Sequence, residues 1–402
     1  MQSQDSSLTG HDRWLIFLIL LVVIITPFAS DSYTPSLPAM TTALGSTADQ
    51  MQLTMTYYLF GASISQLIYG PLSDRFGRKP VILLGLFIAI IGSVLCASAS
   101  TLQFILISRL IQGGGAGVTN ALFRAVMRDS FSGAKMSQVA SFAGMFYMFV
   151  YASAPIIGGY IQEYLGWREN FIFTAILGAA ILTVLFVYLH ETHAKPDSTA
   201  TKFKNIIRNY FSILSSMHFV GYTALSSLAF SGVVAYYTAA PFIMQNVIGL
   251  SAVQFGWVSI GITAGIAIGQ YINAKLVTKV GVLRMLLIGL LLMTFSGTTM
   301  LMFGMLHVIN TTVVIVPILV YGIAAGMVYT NAMANAMHEF AHIAGSAGAM
   351  YGSLQILGSS ITSYIVSILP ETSQLPLALV LTGLGVIALV IYAGLQRLPK
   401  VN

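Results

Sequence analysis

Two ionisable residues lie inside otherwise apolar stretches of the sequence. Asp31 ends the charge-free run from Trp14 to Ser30. Apart from residues at the very start of a predicted span, it is the only acidic residue within a span, and Arg109 is the only basic one. Such a group is costly in hydrocarbon unless it faces a cavity or a partner. Burial disfavours the charged carboxylate and a nearby cation favours it, so Asp31 can take up and release a proton. The two residues predict proton chemistry, with Arg109 opposing proton binding at Asp31 or binding an anionic substrate group.

Each of these residues also has a structural interpretation. Asp31 can cap the end of the first span in the headgroup region, ahead of Pro35 and Pro38. Arg109 can donate hydrogen bonds to backbone carbonyls inside the helix bundle. The sequence leaves both alternatives open.

Further polar side chains recur within the apolar runs and predict a substrate cavity. Arg109, Gln112 and Asn120 share one helical face of span four, which is too polar to face lipid. Aromatic rings with a polar tip suit a cavity for apolar, often cationic compounds, although tyrosine is also common in interfacial belts. The predicted cavity residues are Tyr33, Tyr58, Gln112, Asn120, Tyr236, Tyr237, Tyr329 and Asn331.

The composition identifies the class of protein that must position these residues. The 402 residues are 56% hydrophobic and 7% charged, whereas soluble domains have about a quarter charged residues. We therefore expect an all-α polytopic membrane protein, with the first apolar run acting as an uncleaved signal-anchor. Cys96 is the single cysteine, which excludes a disulfide framework. The net charge of +6 is spread over short loops and does not indicate nucleic-acid binding.

Spans of roughly 20 apolar residues can be placed twelve times along the chain. With the N-terminus in the cytoplasm, every Lys and Arg except Arg109 and Arg168 falls on the cytoplasmic side. Both termini are therefore predicted to be cytoplasmic. The predicted spans are 14–38, 48–71, 80–98, 102–123, 136–161, 169–189, 214–239, 252–274, 284–304, 309–337, 346–369 and 374–396.

An internal repeat divides the chain into two six-helix halves, 1–189 and 214–402, joined by a polar cytoplasmic linker, 190–213. "QLIYGPLSDRFGRKPVILLG" begins at Gln66 and "QYINAKLVTKVGVLRMLLIG" begins at Gln270, with glycines matched at two positions. Two parallel repeats predict a pseudo-two-fold axis along the membrane normal and a central cavity between the halves.

Several motifs resemble those of the major facilitator superfamily. "GPLSDRFGRKP" (Gly70–Pro80) resembles its loop 2–3 signature, and "RLIQGGGAG" (Arg109–Gly117) its fourth-helix motif. "APIIGG" (Ala154–Gly159) resembles the fifth-helix motif of its proton-driven antiporters. "DSYTPSLPAM" and "GWRENF" are similar to the drug/proton antiporter group, specifically the Bcr/CflA-type multidrug efflux subfamily. The chain departs from the family pattern at Ala154, where glycine is usual, and at Thr278 in the degenerate second copy of the loop signature.

The resemblance implies two sets of functional residues. It makes loop 2–3 a latch of the outward-open state, formed by Gly70, Asp74, Arg75, Gly77 and Arg78. Independently of the resemblance, we expect Asp74 to pair with Arg128 or to approach Gly345–Gly348. The resemblance also gives Pro155, Gly158 and Gly159 the role of kinking or tightly packing span five against leakage between the halves.

These features favour a proton-coupled exporter of small amphipathic, drug-like compounds in the bacterial inner membrane. The alternative is a transporter dedicated to one metabolite, such as a siderophore or an amino-acid derivative. An enzyme is not expected, because a single intramembrane acid provides neither a nucleophile–base pair nor paired acids. We expect a monomer that uses the proton gradient and needs no cofactor. His338 and His342 have helical spacing, but they sit in a short loop without further ligands, so no metal site is expected.

Overall fold

The computed structural model describes residues 9–193, 201–340, 343–370 and 372–398, and every regular element within these ranges is a helix. A 3-10 turn, Thr34–Ser36, joins the first two helices, and a π-helical turn, Ile243–Val247, follows the ninth. The helices are α1 Gly10–Ser30, α2 Leu37–Ala43, α3 Ala48–Phe76, α4 Arg78–Ala97, α5 Leu102–Ser130, α6 Gly133–Tyr164, α7 Trp167–Tyr188, α8 Phe203–Leu214, α9 Met217–Phe242, α10 Ala252–Val258, α11 Ile260–Val280, α12 Val282–Met305, α13 Thr311–His338, α14 Ala344–Ser367 and α15 Leu375–Leu395.

Nine helical segments of the described chain are long and apolar enough to cross a membrane, which establishes a multi-pass membrane protein. Three further long helices, α3, α5 and α14, are not apolar enough by composition. These three pack on one another and bury polar residues in their contacts, among them Gln66 and Ser353. The predicted number of twelve spans therefore stays a prediction.

The two copies of the sequence repeat form the same local structure. Gly77 separates α3 from α4 with φ of +96°, and Gly281 separates α11 from α12 with φ of +92°. Residues with a side chain rarely adopt positive φ, so glycine is required at both turns. This agreement confirms the repeat in the loop where the sequence similarity is clearest.

Helix crossings in the two halves also share one register. In the first half, glycines of α5 contact the backbone of α3, with Gly113 against Tyr58. In the second half, glycines of α13 contact the backbone of α11 in the same manner, with Gly322 against Ile262. Tyr58 and Ile262 are separated by the 204 positions that separate the two copies of the repeat, Gln66 and Gln270. The pseudo-symmetry thus extends from the loops into the helix packing.

The two halves contact each other along α3 and α14. Ser353 donates a hydrogen bond to the Ser63 carbonyl at 2.8 Å, and Ser360 donates one to the Thr56 carbonyl at 3.0 Å. Small residues allow membrane helices to approach this closely. The contact extends at least to Gly70, where an added methyl group would lie 3.7 Å from the Ala349 Cβ atom.

A second contact between the halves, formed by α6 and α10, is confined to one end of the bundle. Gly159 and Pro155 there meet the backbones of Ala252 and Gly256. Toward the basic end, defined as the end that carries Arg75, Arg78, Arg128 and Lys135, residues on several faces of α6 are exposed: Ala140, Phe142, Gly144 and Met145. Helix α6 therefore meets the other half at backbone distance near Ala252 and Gly256 and is exposed toward the basic end.

Helix α8 occupies the last part of the predicted linker 190–213, where no helix was expected, and ends one residue beyond it at Leu214. Residues 194–200 of that linker lie outside the described residues. Ile206, Tyr210 and Ile213 recur on one face of α8, and the Tyr210 hydroxyl donates a hydrogen bond to the Leu67 carbonyl at 2.9 Å. Burial, assisted by the nearby Asp74 charge, raises the pKa of Tyr210 to about 12, so the hydroxyl keeps the proton that it donates.

We predict that Gly113→Ala destabilises the protein. A methyl group at Gly113 would overlap the Tyr58 carbonyl oxygen, which belongs to the helix backbone and cannot rotate away. Overpacking of this kind costs about 1–3 kcal/mol. The measurement is the melting temperature of the purified protein in detergent.

The adjacent Gly114→Ala variant is the control, because its methyl group would enter open space. Equal melting temperatures for the two variants would contradict the inferred close contact between α3 and α5.

Candidate functional site: a buried acid beside a caged arginine

Arg109 is completely buried, and neutral acceptors satisfy most of its guanidinium group. Its Nη1 atom donates to the Ala29 carbonyl at 2.7 Å and to Gln112 Oε1 at 2.5 Å, and Nε donates to the Thr54 carbonyl at 3.3 Å. These bonds join the end of α1 to the middle of α3 and α5. Helix α5 thereby holds two neighbouring helices through one side chain.

Two tyrosine rings enclose the same guanidinium group. The Arg109 Cζ atom lies 4.1 Å from the Tyr33 ring centroid and 4.3 Å from that of Tyr58. The Tyr33 hydroxyl also pairs with Thr54 Oγ1 at 3.1 Å, which fixes the ring. A cation over an aromatic face is stabilised by the ring quadrupole, most strongly where water is excluded. Tyr33 and Tyr58, predicted to line the cavity, are thus engaged with Arg109.

Asp31 is buried where α1 ends, with 5% of its surface exposed. Its backbone N–H donates to the Pro27 carbonyl at 2.8 Å, and its carbonyl accepts a hydrogen bond from Thr34 Oγ1, also at 2.8 Å. The chain bends there into the 3-10 turn that contains Pro35. The backbone of Asp31 therefore ends the helix, while its carboxyl group lies inside the protein.

Asp31 and Arg109 do not form an ion pair. In the part of the chain that the structure describes, no carboxylate oxygen lies within 4.0 Å of the guanidinium nitrogens of Arg109. The Arg109 charge acts on Asp31 through space. These hydrogen bonds to carbonyls fit the structural interpretation of Arg109, in which it donates to the backbone inside the helix bundle. The Arg109 charge also interacts electrostatically with Asp31.

Tyrosines from both halves surround Asp31. Its charge acts on Tyr147 and Tyr151 of α6 and on Tyr237 of α9. Tyr147 donates to the Tyr151 hydroxyl at 3.0 Å, and Tyr237 packs on Tyr236 with ring centroids 5.4 Å apart. Tyr147 and Tyr151 were missed in the sequence analysis, although their i, i+4 spacing in span five was a usable signal.

The structure places three other predicted cavity residues differently. Gln112 turns toward α4, where Nε2 donates to Ser93 Oγ at 2.8 Å, so it supports Arg109. Asn331 joins α13 to α11 through a 2.6 Å hydrogen bond to Asn273 Oδ1. Asn120 is only half-buried near the middle of α5. The buried amide groups of Gln112 and Asn331 thus form hydrogen bonds within one half each. Tyr329, on α13, has a buried hydroxyl with no hydrogen-bond partner among the described residues.

The predicted latch is built around Arg78. Its Nη1 atom donates to Asp74 Oδ1 and to Ser73 Oγ, both at 2.6 Å, and Nε donates to Asp129 Oδ2 at 2.9 Å. Arg75 instead donates to Thr201 Oγ1 at 2.6 Å. Loop 2–3 is therefore tied to the end of α5 at the basic end.

The expected pair between Asp74 and Arg128 is not formed, because Asp74 is engaged by Arg78, four residues later, on the other side of the Gly77 turn. Arg128 approaches α14 instead: a methyl group at Gly345 would lie 3.8 Å from Arg128 Nη2. At Gly77, Glu191 accepts hydrogen bonds from the backbone N–H groups of Arg78 at 2.8 Å and Lys79 at 3.1 Å. A carboxylate at the N-terminus of α4 is stabilised by the helix dipole.

The fifth-helix motif lies where the two halves meet at the far end. Gly158 packs on the Ser32 carbonyl of the segment after α1, and Gly159 packs on the Ala252 carbonyl of α10. Asn170 fixes this region by donating to the Gly158 carbonyl at 3.1 Å and to Ser36 Oγ at 2.9 Å. Pro155 lies inside α6 next to Gly256. The small residues allow one helix to contact both halves at backbone distance.

Within the described ranges, no group of three or more His, Cys, Asp or Glu residues is placed to hold a metal ion. His338 ends α13, and His342 lies outside the described residues.

The arrangement of helices matches that of a solved membrane protein. The structure of the xylose transporter XylE from E. coli, in a partially occluded inward-open conformation, superimposes with a TM-score of 0.73. The match covers 96% of this chain and 97% of XylE at 15% sequence identity, so it concerns the fold.

The sequence comparisons give the family. The profile described as Major Facilitator Superfamily matches residues 19–363, and the chain belongs to this superfamily of transporters, which also excludes an enzyme. A bicyclomycin resistance protein homolog of Haemophilus influenzae is 27% identical over 379 residues, covering 94% of this chain and 95% of the relative. Multidrug resistance protein D of Escherichia coli is 28% identical, covering 93% of each chain. An uncharacterized MFS-type transporter of Bacillus subtilis is 30% identical, covering 97% of each. The resemblance to drug-efflux transporters is confirmed.

We predict that Arg109→Lys lowers stability although it keeps the charge. An ammonium group cannot reproduce the planar stacking between two rings or reach all three acceptors. The free energy of unfolding is expected to fall by more than about 2 kcal/mol, because buried carbonyl groups would lose their hydrogen-bond donors. Thermal unfolding of the purified protein measures it.

Arg168→Lys is the control, because Arg168 also stacks on a ring, that of Trp167 at 4.1 Å, but is exposed. An Arg109→Lys protein as stable as the wild type would refute a structural role for the carbonyl and aromatic groups that enclose Arg109.

Proposed function

We propose that this protein is a proton-coupled exporter of small amphipathic, drug-like compounds that works by alternating access. The observation that carries the proposal is the burial of Asp31, the only carboxylic acid among the buried residues that the structure describes, within electrostatic range of tyrosines from both halves. A carboxyl group at the boundary between two moving halves changes its environment whenever they move. That change converts a proton gradient into directed movement.

In this mechanism Asp31 takes up a proton when the cavity opens to the outside and releases it toward the cytoplasm. The through-space effect of Arg109 favours the charged carboxylate and promotes release. Substrate binds in the cavity and leaves in the opposite direction. The proton gradient supplies the energy, so no cofactor is required.

Drug-like substrates are supported by the names of the relatives, which include bicyclomycin resistance, multidrug resistance and chloramphenicol resistance proteins. The second candidate, a transporter for one metabolite such as a siderophore or an amino-acid derivative, fits the same fold, because cavity chemistry determines the substrate. A substrate panel in inverted membrane vesicles with a pH-gradient readout separates the candidates and gives the direction of transport.

The remaining parts of the proposal concern location and the latch. We place the protein as a monomer in the bacterial inner membrane with both termini cytoplasmic, which puts the basic end on the cytoplasmic side. The Arg78 contacts at that end then hold loop 2–3 during part of the transport cycle.

Asp31→Asn is expected to abolish transport driven by a pH gradient while leaving expression and melting temperature close to those of the wild type. Asparagine is nearly isosteric with aspartate but cannot titrate. Substrate-dependent proton movement in proteoliposomes is the measurement.

Asp49→Asn is the matched control, because Asp49 is exposed in the first turn of α3 at the same end of the bundle. Full proton coupling in the Asp31→Asn protein would refute the proposed role.

Asp74→Asn is expected to lower the maximum transport rate severalfold with little change in the substrate concentration at half-maximal rate. The substitution weakens the contact with Arg78, far from the cavity. Initial rates over a range of substrate concentrations measure both quantities. A pure loss of apparent affinity would count against a latch.

A further inference from the structure

Helix α8 carries two neighbouring apolar stripes, and the helix bundle covers only one of them. The covered stripe includes Ile213, which is completely buried where α8 packs against α9 and α14. The outer stripe is defined as Ile207, Phe211 and Leu214, whose surfaces are 48%, 72% and 44% exposed. Their i, i+4, i+7 spacing places them on one helical face. A contiguous exposed apolar surface of this kind indicates an interaction with another molecule or with a membrane.

The polar side of α8 lies opposite the outer stripe. At about 3.6 residues per turn, Asn209 and Ser212 fall on the side of the helix that points away from the outer stripe. Arg208 lies between the two sides, is exposed, and forms no ion pair with any residue that the structure describes. Residues 201–217 include three basic residues and no acidic one. The charge beside the outer stripe therefore complements a negatively charged surface.

The contact between α8 and α3 places α8 at the level of the membrane boundary. The Tyr210 hydroxyl donates to the Leu67 carbonyl at 2.9 Å, and the predicted span 48–71 ends four residues after Leu67. Ile64 and Ile68, one turn apart on α3 beside this contact, are 44% and 56% exposed, as expected for residues that face lipid. The outer stripe thus lies next to the part of the bundle surface that the bilayer covers.

We propose that α8 inserts the outer stripe into the bilayer leaflet at the basic end and that Arg208 binds the phosphate groups of anionic phospholipids. Helices with large apolar side chains on one face and Lys or Arg beside them bind membranes in this way, parallel to the surface. A guanidinium group pairs with a phosphate through two parallel hydrogen bonds. The segment that joins the two halves is thereby held at the membrane surface. This inference does not depend on the proposed transport activity.

The first test measures insertion in the full-length protein, reconstituted in nanodiscs of phosphatidylcholine and phosphatidylglycerol. A fluorescent dye is attached to Phe211→Cys or to Ser212→Cys, and lipids with a nitroxide on the acyl chain quench it on contact. Cys96 is completely buried, so the wild type serves as the labelling blank. We expect the dye at position 211 to be quenched about threefold more strongly than the dye at 212, because only the apolar face of such a helix enters the acyl region.

Ser212→Cys is the matched control, because Ser212 is exposed and adjacent in sequence but belongs to the polar side of the same helix. Melting temperatures verify that each labelled variant is folded.

The second test measures the preference for anionic lipid, with the dye at position 211 and the nitroxide carried either by phosphatidylglycerol or by phosphatidylcholine. One basic residue near an anionic surface attracts it by about 1 kcal/mol, so Arg208→Gln should lower the ratio of the two quenching efficiencies about fivefold. Arg208→Lys should keep part of the preference. Arg284→Gln is the control and should leave the ratio unchanged, because Arg284 is an exposed arginine in the first turn of α12.

Equal quenching at positions 211 and 212 would overturn the proposed insertion, since an outer stripe covered by a second copy of the chain or by a soluble protein keeps its dye away from lipid. An unchanged ratio in Arg208→Gln would overturn the proposed contact with anionic headgroups. Both measurements are made without a substrate and without a proton gradient, so neither outcome affects the Asp31 experiment.

Discussion

The enclosure of one guanidinium group determines how the first half of the protein is held together. Arg109 has no counter-ion within 4 Å in the described chain, so three carbonyl or amide oxygens and two aromatic faces stabilise its charge. A buried cation that loses such partners is strongly destabilising. The end of α1, the middle of α3 and the middle of α5 must therefore stay together. Asp31, two residues beyond the Ala29 carbonyl bound by Arg109, takes its position from this arrangement.

Glycine contacts supply the corresponding constraint on the backbone. In both halves the same helix pair crosses at van der Waals distance, with the same register. Such crossings exclude side chains and leave little freedom for one helix to slide along another. The helices of each half are thus held in fixed positions relative to one another.

Composition, periodicity and the distribution of charge predicted the membrane class, the position of nearly every helix and the pseudo-symmetry. These features depend on local sequence and on the bilayer as solvent. Helix α8 was missed because its apolar face is short and its charged residues resemble those of a linker. The site was predicted less completely. Asp31 was recognised because a buried acid is costly wherever it lies, whereas the orientations of Gln112 and Asn331 depend on which neighbour each amide meets.

Tyr147 and Tyr151 show the limit of sequence reasoning most clearly. A tyrosine in a span can face lipid, the helix core or a cavity. Only the folded arrangement of α6 shows that these two side chains are partly buried and joined by a hydrogen bond.

The unequal contacts between the halves have a geometric consequence. Helices α3 and α14 touch over much of their length, while the described contacts of α6 with the other half are made with α10 and α11. A rotation that preserves the first contact widens the cavity mainly on the side of α6, as a slot whose width follows a single angle. Such a slot restricts the cross-section of a passing molecule but not its length. Molecules of very different length but similar thickness therefore meet the same steric limit.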